Sequence, residues 1–191
     1  MTEKDIVDFF FEAGQLKRVK RSGCWIAKIK DPDTVAEHSF RAAVIGYVLA
    51  KLEKADPYKV VMMCLLQDLP EARLNDIHKI GQRYLEVKGA EKQAFEEQMQ
   101  RLPKEMAAES IELFKQYGID STKEGIIARD ADLLEDVVQH KEYLDIGYKD
   151  SLDWIHNAGS LLKTESAKKL LRIIEGTDSS SWWHDLKNIT R

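Results

Sequence analysis

Start and end signals for helices recur along this sequence, and they constrain its fold more than any other feature. Thr34 precedes Glu37 by three residues, the spacing of a capping box in which each side chain bonds a backbone N–H at the helix start. Asp56 followed by Pro57 is a second start signal, an N-cap residue with proline in the first turn. Pro70 ends the helix that follows, because proline disfavours helical backbone in the residue before it. These signals predict an all-α protein.

Between these signals, apolar residues recur every three or four positions, whereas alternating strand patterns are nearly absent. Ile6, Phe9, Phe10 and Ala13 form one such apolar face. The stretch 20–33 is predicted to be an irregular linker. The predicted helices are 4–15, 34–53, 57–68, 90–102, 103–116 and 122–146, followed by shorter pieces at 150–157, 164–175 and 181–188. The segment 76–85 is predicted to be a short helix or turn. Together these segments predict one bundle of roughly seven to nine helices.

Length and composition fit one domain over residues 1–191, of which 43% are hydrophobic and 32% charged. The net charge of −4 provides no basic field for nucleic acid or for an anionic membrane surface. Cys24 and Cys64 have neither the spacing of a disulfide framework nor that of a zinc knuckle. No apolar stretch approaches the ~20 residues of a membrane span, and the N-terminal sequence lacks a signal-peptide pattern. A cytoplasmic protein is therefore expected.

Side chains that can carry chemistry gather at the predicted helix ends. His38 lies in the first turn after the capping box, and Asp68 follows the apolar run 60–66. An ionised carboxylate beside such a run is costly unless it is paired or binds a metal. Asp130 and Asp132 lie early in a later helix, where residues two apart point to different sides, so only one of them can join the others. Imidazole and carboxylates together suit a divalent cation.

Four segments occur in an order and spacing that are typical of one known family: QLKRVKRSGCW, TVAEHSFRAAVI, LLQDLPEARLNDI and ARDADLLEDVVQHKEYL. Through them the chain resembles the HD-domain metal-dependent phosphohydrolases over about residues 8–148, and within that family the branch of 5′-deoxynucleotidases. The resemblance implies an all-helical domain, a divalent cation as cofactor and a nucleotide as substrate. Residues 150–191 are then expected to pack on this core or on a partner subunit.

In that family, a first histidine, a histidine–aspartate doublet and a late aspartate hold the cation. The resemblance assigns the first histidine to His38 and the late aspartate to Asp132, which it favours over Asp130. It assigns the doublet to Gln67 and Asp68, so that glutamine stands in the place of the doublet histidine. An amide offers only a neutral oxygen, which is a weaker ligand than imidazole for most transition metals. The expected cation is Mn²⁺, Co²⁺, Mg²⁺ or Zn²⁺.

Gln67 leaves three hypotheses open. In the first, the three other ligands still bind the cation, the Gln67 oxygen or water completes the set, and selectivity moves towards the oxygen-preferring ions Mg²⁺ and Mn²⁺. In the second, the metal site is lost and the fold persists as a nucleotide-binding module. In the third, the natural residue at position 67 is a catalytic histidine that was substituted by glutamine. The first hypothesis is favoured, because the other family positions remain.

The resemblance also assigns residues to catalysis and to the substrate. Glu71 and Asp76 take the positions of acidic residues that act on the attacking water, the scissile phosphate and the leaving group. Arg21 takes the position of an arginine that faces the phosphate, and Arg18 is the nearby alternative. Trp25 is expected to support the base or the sugar. His78 has no assigned role.

The expected function is the release of phosphate from nucleoside or deoxynucleoside 5′-monophosphates. The alternative is a catalytically impaired nucleotide-binding protein whose metal site Gln67 has weakened or removed. A nucleic-acid phosphodiesterase is disfavoured by the net charge of −4. Relatives of this kind are often homodimers, so a homodimer is expected. Trp182 and Trp183 are expected to dock the C-terminal helix on the body of the chain or on a partner subunit.

Overall fold

Helices account for most of the residues that the computed structural model describes, which are 2–117 and 122–187. Eight of these helices have ten or more residues, and three have four. Two 3₁₀ turns cover Gly14–Arg18 and Ser181–Leu186. The α-helices are α1 Glu3–Ala13, α2 Gly23–Ile26, α3 Val35–Glu53, α4 Pro57–Leu66, α5 Glu71–Leu74, α6 Lys79–Gln82, α7 Val87–Met99, α8 Lys104–Gln116, α9 Lys123–Asp145, α10 Ser151–Ser160 and α11 Glu165–Gly176.

The all-α prediction is confirmed, because the β pairing found within the described ranges is a single isolated bridge between Lys20 and Thr34. The capping signals act as predicted. The Thr34 hydroxyl accepts the N–H of Glu37 at 3.2 Å, and the Glu37 carboxylate accepts the N–H of Thr34 at 2.6 Å. Asp56 caps α4 by accepting the N–H of Tyr58 at 3.0 Å. Among the helices described, none is both long and apolar enough to cross a membrane.

Several boundaries differ from the sequence-based prediction. The segment 76–85, predicted as a short helix or turn, is helical over Lys79–Gln82, and Glu71–Leu74 forms a short helix that was not predicted. The stretch 20–33, predicted to be irregular, contains the four-residue helix α2. Helix α7 begins at Val87 rather than at residue 90, because the Glu86 carboxylate accepts the N–H of Gly89 at 2.8 Å and caps the helix. Both features are short-range contacts that apolar periodicity does not reveal.

The largest hydrophobic core lies where α3, α4 and α9 pack together. Gly46 lets the three helices approach closely. A Cβ at this position would meet Cys64 Sγ at 3.0 Å, Val60 Cγ1 at 3.0 Å and Ala131 Cβ at 3.5 Å. Close packing of this kind fixes the helices relative to one another, and each of them carries part of the candidate site described below.

Two smaller cores support the regions on either side of this helix triple. In the first, Leu16 of the N-terminal 3₁₀ turn packs with Leu69, after α4, and with Phe95 of α7. In the second, Cys24 of α2 packs with Tyr143 at the end of α9. These contacts anchor the two irregular segments, around residues 19–34 and 67–78, that border the site.

The C-terminal helices α10 and α11 pack on α9. Asp130 of α9 holds the start of α11 in place, because its carboxylate accepts the backbone N–H of Lys163 at 3.0 Å and that of Thr164 at 2.7 Å. The Thr164 hydroxyl donates to the same carboxylate at 2.6 Å. The side chain of Asp130 therefore has a structural partner at the start of α11.

The segment after α11 differs from its prediction. The predicted helix 181–188 is a 3₁₀ turn up to Leu186, and Asn188 lies outside the described residues. Trp182 is 74% exposed, so it is not docked on the body of this chain. Trp183 packs edge-on against the neighbouring His184. Docking of these tryptophans on a partner subunit stays a prediction.

Candidate active site

Three side chains from separate segments meet at one end of the main core. His38 projects from the first turn of α3, Asp68 from the turn after α4, and Asp132 from α9. One ligand atom of each lies within 4.8 Å of the others. His38 Nε2 lies 2.9 Å from Asp132 Oδ1 and 3.4 Å from Asp68 Oδ2. An imidazole nitrogen and two carboxylate oxygens at this spacing fit one divalent cation.

The structure also distinguishes Asp130 from Asp132. Sequence patterns alone left open which of these two aspartates joins the cluster. Asp132 faces His38, whereas Asp130 lies on another side of α9 and binds the backbone of Thr164. Residues two apart on a helix point in different directions, so only one of the two carboxylates can reach the cluster. The structure places Asp132 there.

Gln67 belongs to the cluster and is buried at the C-terminal end of α4. Its Nε2 donates to Asp132 Oδ1 at 3.0 Å and lies 3.4 Å from Asp68 Oδ2. These are the two oxygens that His38 Nε2 also contacts. The other amide atom, Oε1, is buried and has no hydrogen-bond partner. The residue that replaces the doublet histidine is therefore turned towards the candidate ligands.

Glu135 orients His38 from the far side of the imidazole ring. Its carboxylate accepts a hydrogen bond from His38 Nδ1 and a second one, of 2.8 Å, from Arg41 Nε. A carboxylate in this position fixes the tautomer in which Nε2 is free to bind a metal. Sequence reasoning missed Glu135. Its signal is the three-residue spacing from Asp132, which puts both carboxylates on one face of α9.

Buried negative charge dominates the electrostatics of the cluster. Burial lowers the pKa of His38 and Arg21 lowers it further, but Glu135 and Asp132 outweigh both and raise it to about 10. Burial raises the pKa of Asp68, His38 opposes that rise, and the charge of Asp132 adds to it. Because carboxylates are in excess, a divalent cation would offset the cost of burying them, and the donor set fits such an ion.

Asp132 receives hydrogen bonds on both of its oxygens. Oδ1 accepts from His38 and Gln67, and Oδ2 accepts from Arg129 Nη1 at 2.6 Å. Burial opposes ionisation, but the bond to His38 and the charge of Arg129 outweigh it and hold the pKa of Asp132 far below its usual range. Arg129 also donates to the Tyr117 hydroxyl at 3.1 Å, which fixes the guanidinium beside the site.

A cavity of about 610 Å³ opens beside the cluster, within the size range of small-molecule sites. Four lysines from α6, α7 and α8 and two arginines line it together with six carboxyl groups, so the cavity offers cationic groups to an anionic ligand although the chain as a whole is acidic. Of the lining residues, the candidate site residues named in the sequence analysis are Arg21, Gln67, Asp68, Glu71, Asp76, His78 and Asp132, and the four lysines are Lys79, Lys88, Lys92 and Lys115.

Glu71 has the properties of a proton donor. Its backbone N–H donates to the Asp68 carbonyl at 3.0 Å, so a tight turn holds the two residues together. Its Oε2 is buried without a hydrogen-bond partner. Burial, and then the charges of Asp68 and Asp76, raise the pKa of Glu71 well above its usual range. An uncharged carboxyl group beside a cavity can deliver a proton to a leaving group.

Asp76 holds the loop that carries Arg21. Its Oδ2 accepts the backbone N–H of Ser22 at 2.7 Å, and Arg21 Nη2 lies 3.4 Å from Asp136 Oδ1. The residue before it, Asn75, has φ 61° and ψ 165°, a conformation that is almost confined to glycine. Strained backbone of this kind clusters at functional sites, and here it directly precedes a predicted catalytic residue.

The structure does not bring Arg18 or Trp25 to the cavity. The Arg18 side chain is exposed at the end of the first 3₁₀ turn, and Trp25 is 53% exposed. Neither residue lines the cavity, so the geometry does not support their assignment to the substrate. An aromatic side chain that does line it is Trp154, whose ring stacks on His140 at 5.2 Å. No local pattern marks Trp154, because its place depends on how α10 packs on α9.

His78 lines the cavity as well. Its Nδ1 accepts the backbone N–H of Gly81 at 3.1 Å and thereby caps α6. The imidazole is therefore engaged in the local fold and does not belong to the cluster around His38.

Comparison with known proteins shows which family the chain belongs to. The sequence profile of the HD domain matches residues 13–172. Human 5′-deoxynucleotidase HDDC2 is 29% identical over 147 residues, which cover 76% of this chain and 72% of that protein. The crystal structure of the PH0347 protein from Pyrococcus horikoshii superposes with a TM-score of 0.75 at 29% identity, covering 89% of this chain and 96% of that one.

A protein described as a predicted metal-dependent phosphohydrolase, from Magnetospirillum magnetotacticum, shares the fold with a TM-score of 0.70 at 19% identity. It covers 91% of this chain, and the match spans 90% of that chain. The helical fold and the sequence profile define the class, which is that of HD-domain proteins. This chain belongs to the HD-domain family, and 5′-deoxynucleotidases are among its relatives.

Cation binding at this site is expected to release about one proton at pH 8. With a pKa of about 10, His38 carries a proton there in the metal-free protein, and Nε2 must lose it to bind a cation. The apparent affinity for Mn²⁺ should therefore rise with pH up to about pH 10. Calorimetric titration of the chelator-treated protein, in two buffers of different ionisation enthalpy, counts the protons. Binding that is independent of pH and buffer would contradict the protonated state of His38.

Proposed function

We propose that this protein hydrolyses the phosphate ester of nucleoside or deoxynucleoside 5′-monophosphates, with a divalent cation bound by His38, Asp68 and Asp132. The observation that carries the proposal is that Asp68 and Asp132 of that cluster line one cavity together with Arg21 and Glu71. The 5′-deoxynucleotidase relatives support this substrate class. We also propose that it acts in the cytoplasm, since both cysteines are free thiols, as is usual in reducing compartments.

The cation site is built to hold an ion with one imidazole and two carboxylates, and Glu135 keeps the imidazole in position. When bound, the cation would activate a water for attack and neutralise charge on the phosphoryl oxygens. Asp132 stays ionised through its own hydrogen bonds, so it is ready to bind at any physiological pH.

Arg21 is the residue proposed to bind the phosphate. Its guanidinium lines the cavity and meets Asp136 at 3.4 Å through one nitrogen. Because a guanidinium has five N–H donors, it retains donors for phosphate oxygens. Asp76 keeps the loop in place through the N–H of Ser22, so it positions Arg21 in addition to its predicted role beside the phosphate.

Departure of the 5′ oxygen requires a proton, and Glu71 is proposed to supply it. Burial and the neighbouring carboxylates keep its pKa high, so the group is protonated before the reaction. The oxygen of the attacking water bonds to phosphorus as the ester bond breaks, and the proton of Glu71 moves to the 5′ oxygen, which leaves as an alcohol. The proton that the attacking water gives up restores Glu71 for the next cycle.

A non-catalytic nucleotide-binding protein is the second candidate function, and one observation favours it. Asp132 already receives hydrogen bonds from His38, Gln67 and Arg129. These donors satisfy both carboxylate oxygens without a cation. A protein of this kind would bind a nucleotide in the cavity and leave its ester intact.

Phosphate release from a panel of deoxynucleoside 5′-monophosphates, with added Mg²⁺, Mn²⁺ or Co²⁺, separates the two functions. The proposed function predicts release by the wild-type protein and by a Gln67→His variant. Release by the variant alone would show that Gln67 silences a competent scaffold. Release by neither, in folded protein with excess metal, would exclude hydrolysis and favour the binding protein.

Glu71→Gln is expected to lower kcat on a deoxynucleoside monophosphate by about 100- to 10,000-fold, because the leaving oxygen loses its proton donor. The loss should be much smaller on p-nitrophenyl phosphate, whose leaving group departs without a proton. Glu105→Gln is the control, an exposed acid in the first turn of α8. Equal losses of Glu71→Gln on both substrates would contradict the role of general acid.

We further propose that the chain forms a homodimer through the exposed face of α3. Apolar side chains recur there at three- and four-residue spacing, each at least 45% exposed, and such a patch is uncommon on a monomer. A second copy presenting the same face would bury it in a two-fold interface. The residues of this face are Phe40, Val44, Tyr47, Val48 and Leu52.

The double variant Val44→Glu, Val48→Glu is expected to be monomeric, because charges would be buried in the interface. Light scattering coupled to size-exclusion chromatography measures the mass of each protein. Ile173→Glu, an exposed apolar residue on α11, is the control and should leave the mass of a dimer unchanged. A monomeric wild-type protein would contradict the proposal.

A further inference from the structure

The choice of cation at a metal centre is set by the kinds of atom that bind it. We infer that Gln67 Oε1 is a fourth ligand, so that one nitrogen and three oxygens hold the cation and the centre is shifted towards Mg²⁺ and Mn²⁺ and away from Zn²⁺. The inference rests on the proposed metal centre and goes beyond it by naming the fourth ligand and the class of ion.

The Gln67 amide and the His38 imidazole converge on the same two carboxylate oxygens. His38 Nε2 lies 2.9 Å from Asp132 Oδ1 and 3.4 Å from Asp68 Oδ2, and Gln67 Nε2 lies 3.0 Å and 3.4 Å from the same atoms. Neighbouring ligands are about 3 Å apart on an octahedral ion with bonds of about 2.1 Å. They are about 3.3 Å apart on tetrahedral zinc. The end of the Gln67 side chain thus lies at ligand spacing from both aspartates.

The orientation of this amide depends on the charge between the two aspartates. With only carboxylate oxygens to face, the amide presents Nε2, because Oε1 would be repelled. Oε1 is left buried and without a partner, which is unfavourable for an acceptor. A half-turn about the last side-chain bond exchanges the two atoms. A cation attracts Oε1 and the carboxylates together, so it would favour the exchanged orientation.

The surrounding residues offer no replacement for the missing imidazole. His78 caps α6 through its Nδ1. The ring of His140 stacks on Trp154, and its Nδ1 forms a hydrogen bond of 3.1 Å with Ser151 Oγ. Within the described residues, the cluster therefore has one imidazole, from His38, and carboxylate and amide oxygens. Oxygen ligands suit Mg²⁺ and Mn²⁺, whereas Zn²⁺ and Co²⁺ gain most from imidazole nitrogen.

Metal titrations test the inference without relying on activity. Calorimetry and Mn²⁺ electron paramagnetic resonance would measure Mn²⁺ binding, and competition would give the ratio of Zn²⁺ to Mn²⁺ affinity. Gln67→Leu should weaken Mn²⁺ binding by at least about tenfold, whereas Gln67→Glu, which keeps an oxygen, should retain or strengthen it. Gln67→His should raise the Zn²⁺ to Mn²⁺ ratio by at least about tenfold, because it adds a nitrogen ligand.

Gln98→Leu is the matched control. Gln98 is also a buried glutamine with an unpartnered Oε1, but its Nε2 donates to the Leu69 carbonyl and to Glu12 and not to the carboxylate of either aspartate. This variant should leave Mn²⁺ affinity unchanged. Thermal unfolding followed by circular dichroism checks that each variant folds. If Gln67→Leu does not fold, the comparison of Gln67→Glu and Gln67→His with the wild-type protein still decides the test.

Two results would overturn the inference: unchanged Mn²⁺ affinity in folded Gln67→Leu, or the same Zn²⁺ to Mn²⁺ ratio in wild-type protein and Gln67→His. Failure of the proposed function looks different. A protein that binds Mn²⁺ through Gln67 but releases no phosphate contradicts hydrolysis alone. If the protein releases phosphate but substitution of Gln67 leaves its Mn²⁺ affinity unchanged, only the assignment of the fourth ligand is contradicted. Cation binding by Gln67→His but not by wild-type protein overturns the inference directly.

Discussion

The contact of His38 with two carboxylates of α9 is the interaction on which the rest of the site depends. The imidazole is fully buried between α3 and α9, with Glu135 on one nitrogen and Asp132 on the other. Burial of these charges is tolerable only because they compensate one another, and Arg41 balances Glu135 from behind. The same pairing fixes the direction of Nε2, so it defines where a cation and then a substrate can lie.

The polar residues around this contact are positioned by one another. Asp68 follows the apolar helix α4 and faces His38. Burial, and then the charge of Asp68, raise the pKa of the neighbouring Glu71, so that this carboxyl group is protonated. Asp76 fixes the loop of Arg21 through a backbone N–H, at the end of a strained turn. Arg21, Asp68 and Glu71 therefore line one cavity, and the tight turn after α4 holds the two carboxyl groups close together.

Gln67 is the residue at which this arrangement departs from the family pattern. Its amide contacts the same aspartate oxygens as His38. The proposed metal centre would be poorer in nitrogen than the family pattern and would depend more strongly on oxygen ligands. A family fold can in this way be kept while the preference for a cofactor shifts, since ligand identity is decided by one side chain and helix packing by many.

How much the sequence determines follows from the range of the forces involved. Capping by Thr34 and Asp56 is local, so the sequence alone determined the long helices and the all-α class. The ordered motifs pointed to His38, Gln67, Asp68 and Asp132. Only the tertiary structure decided which side of α9 faces His38, and with it the support from Glu135 and the place of Trp154. The contacts of His38 with Asp132 and Glu135 join residues 94 and 97 positions apart, and the close approach of helices at Gly46 sets how α9 lies against α3.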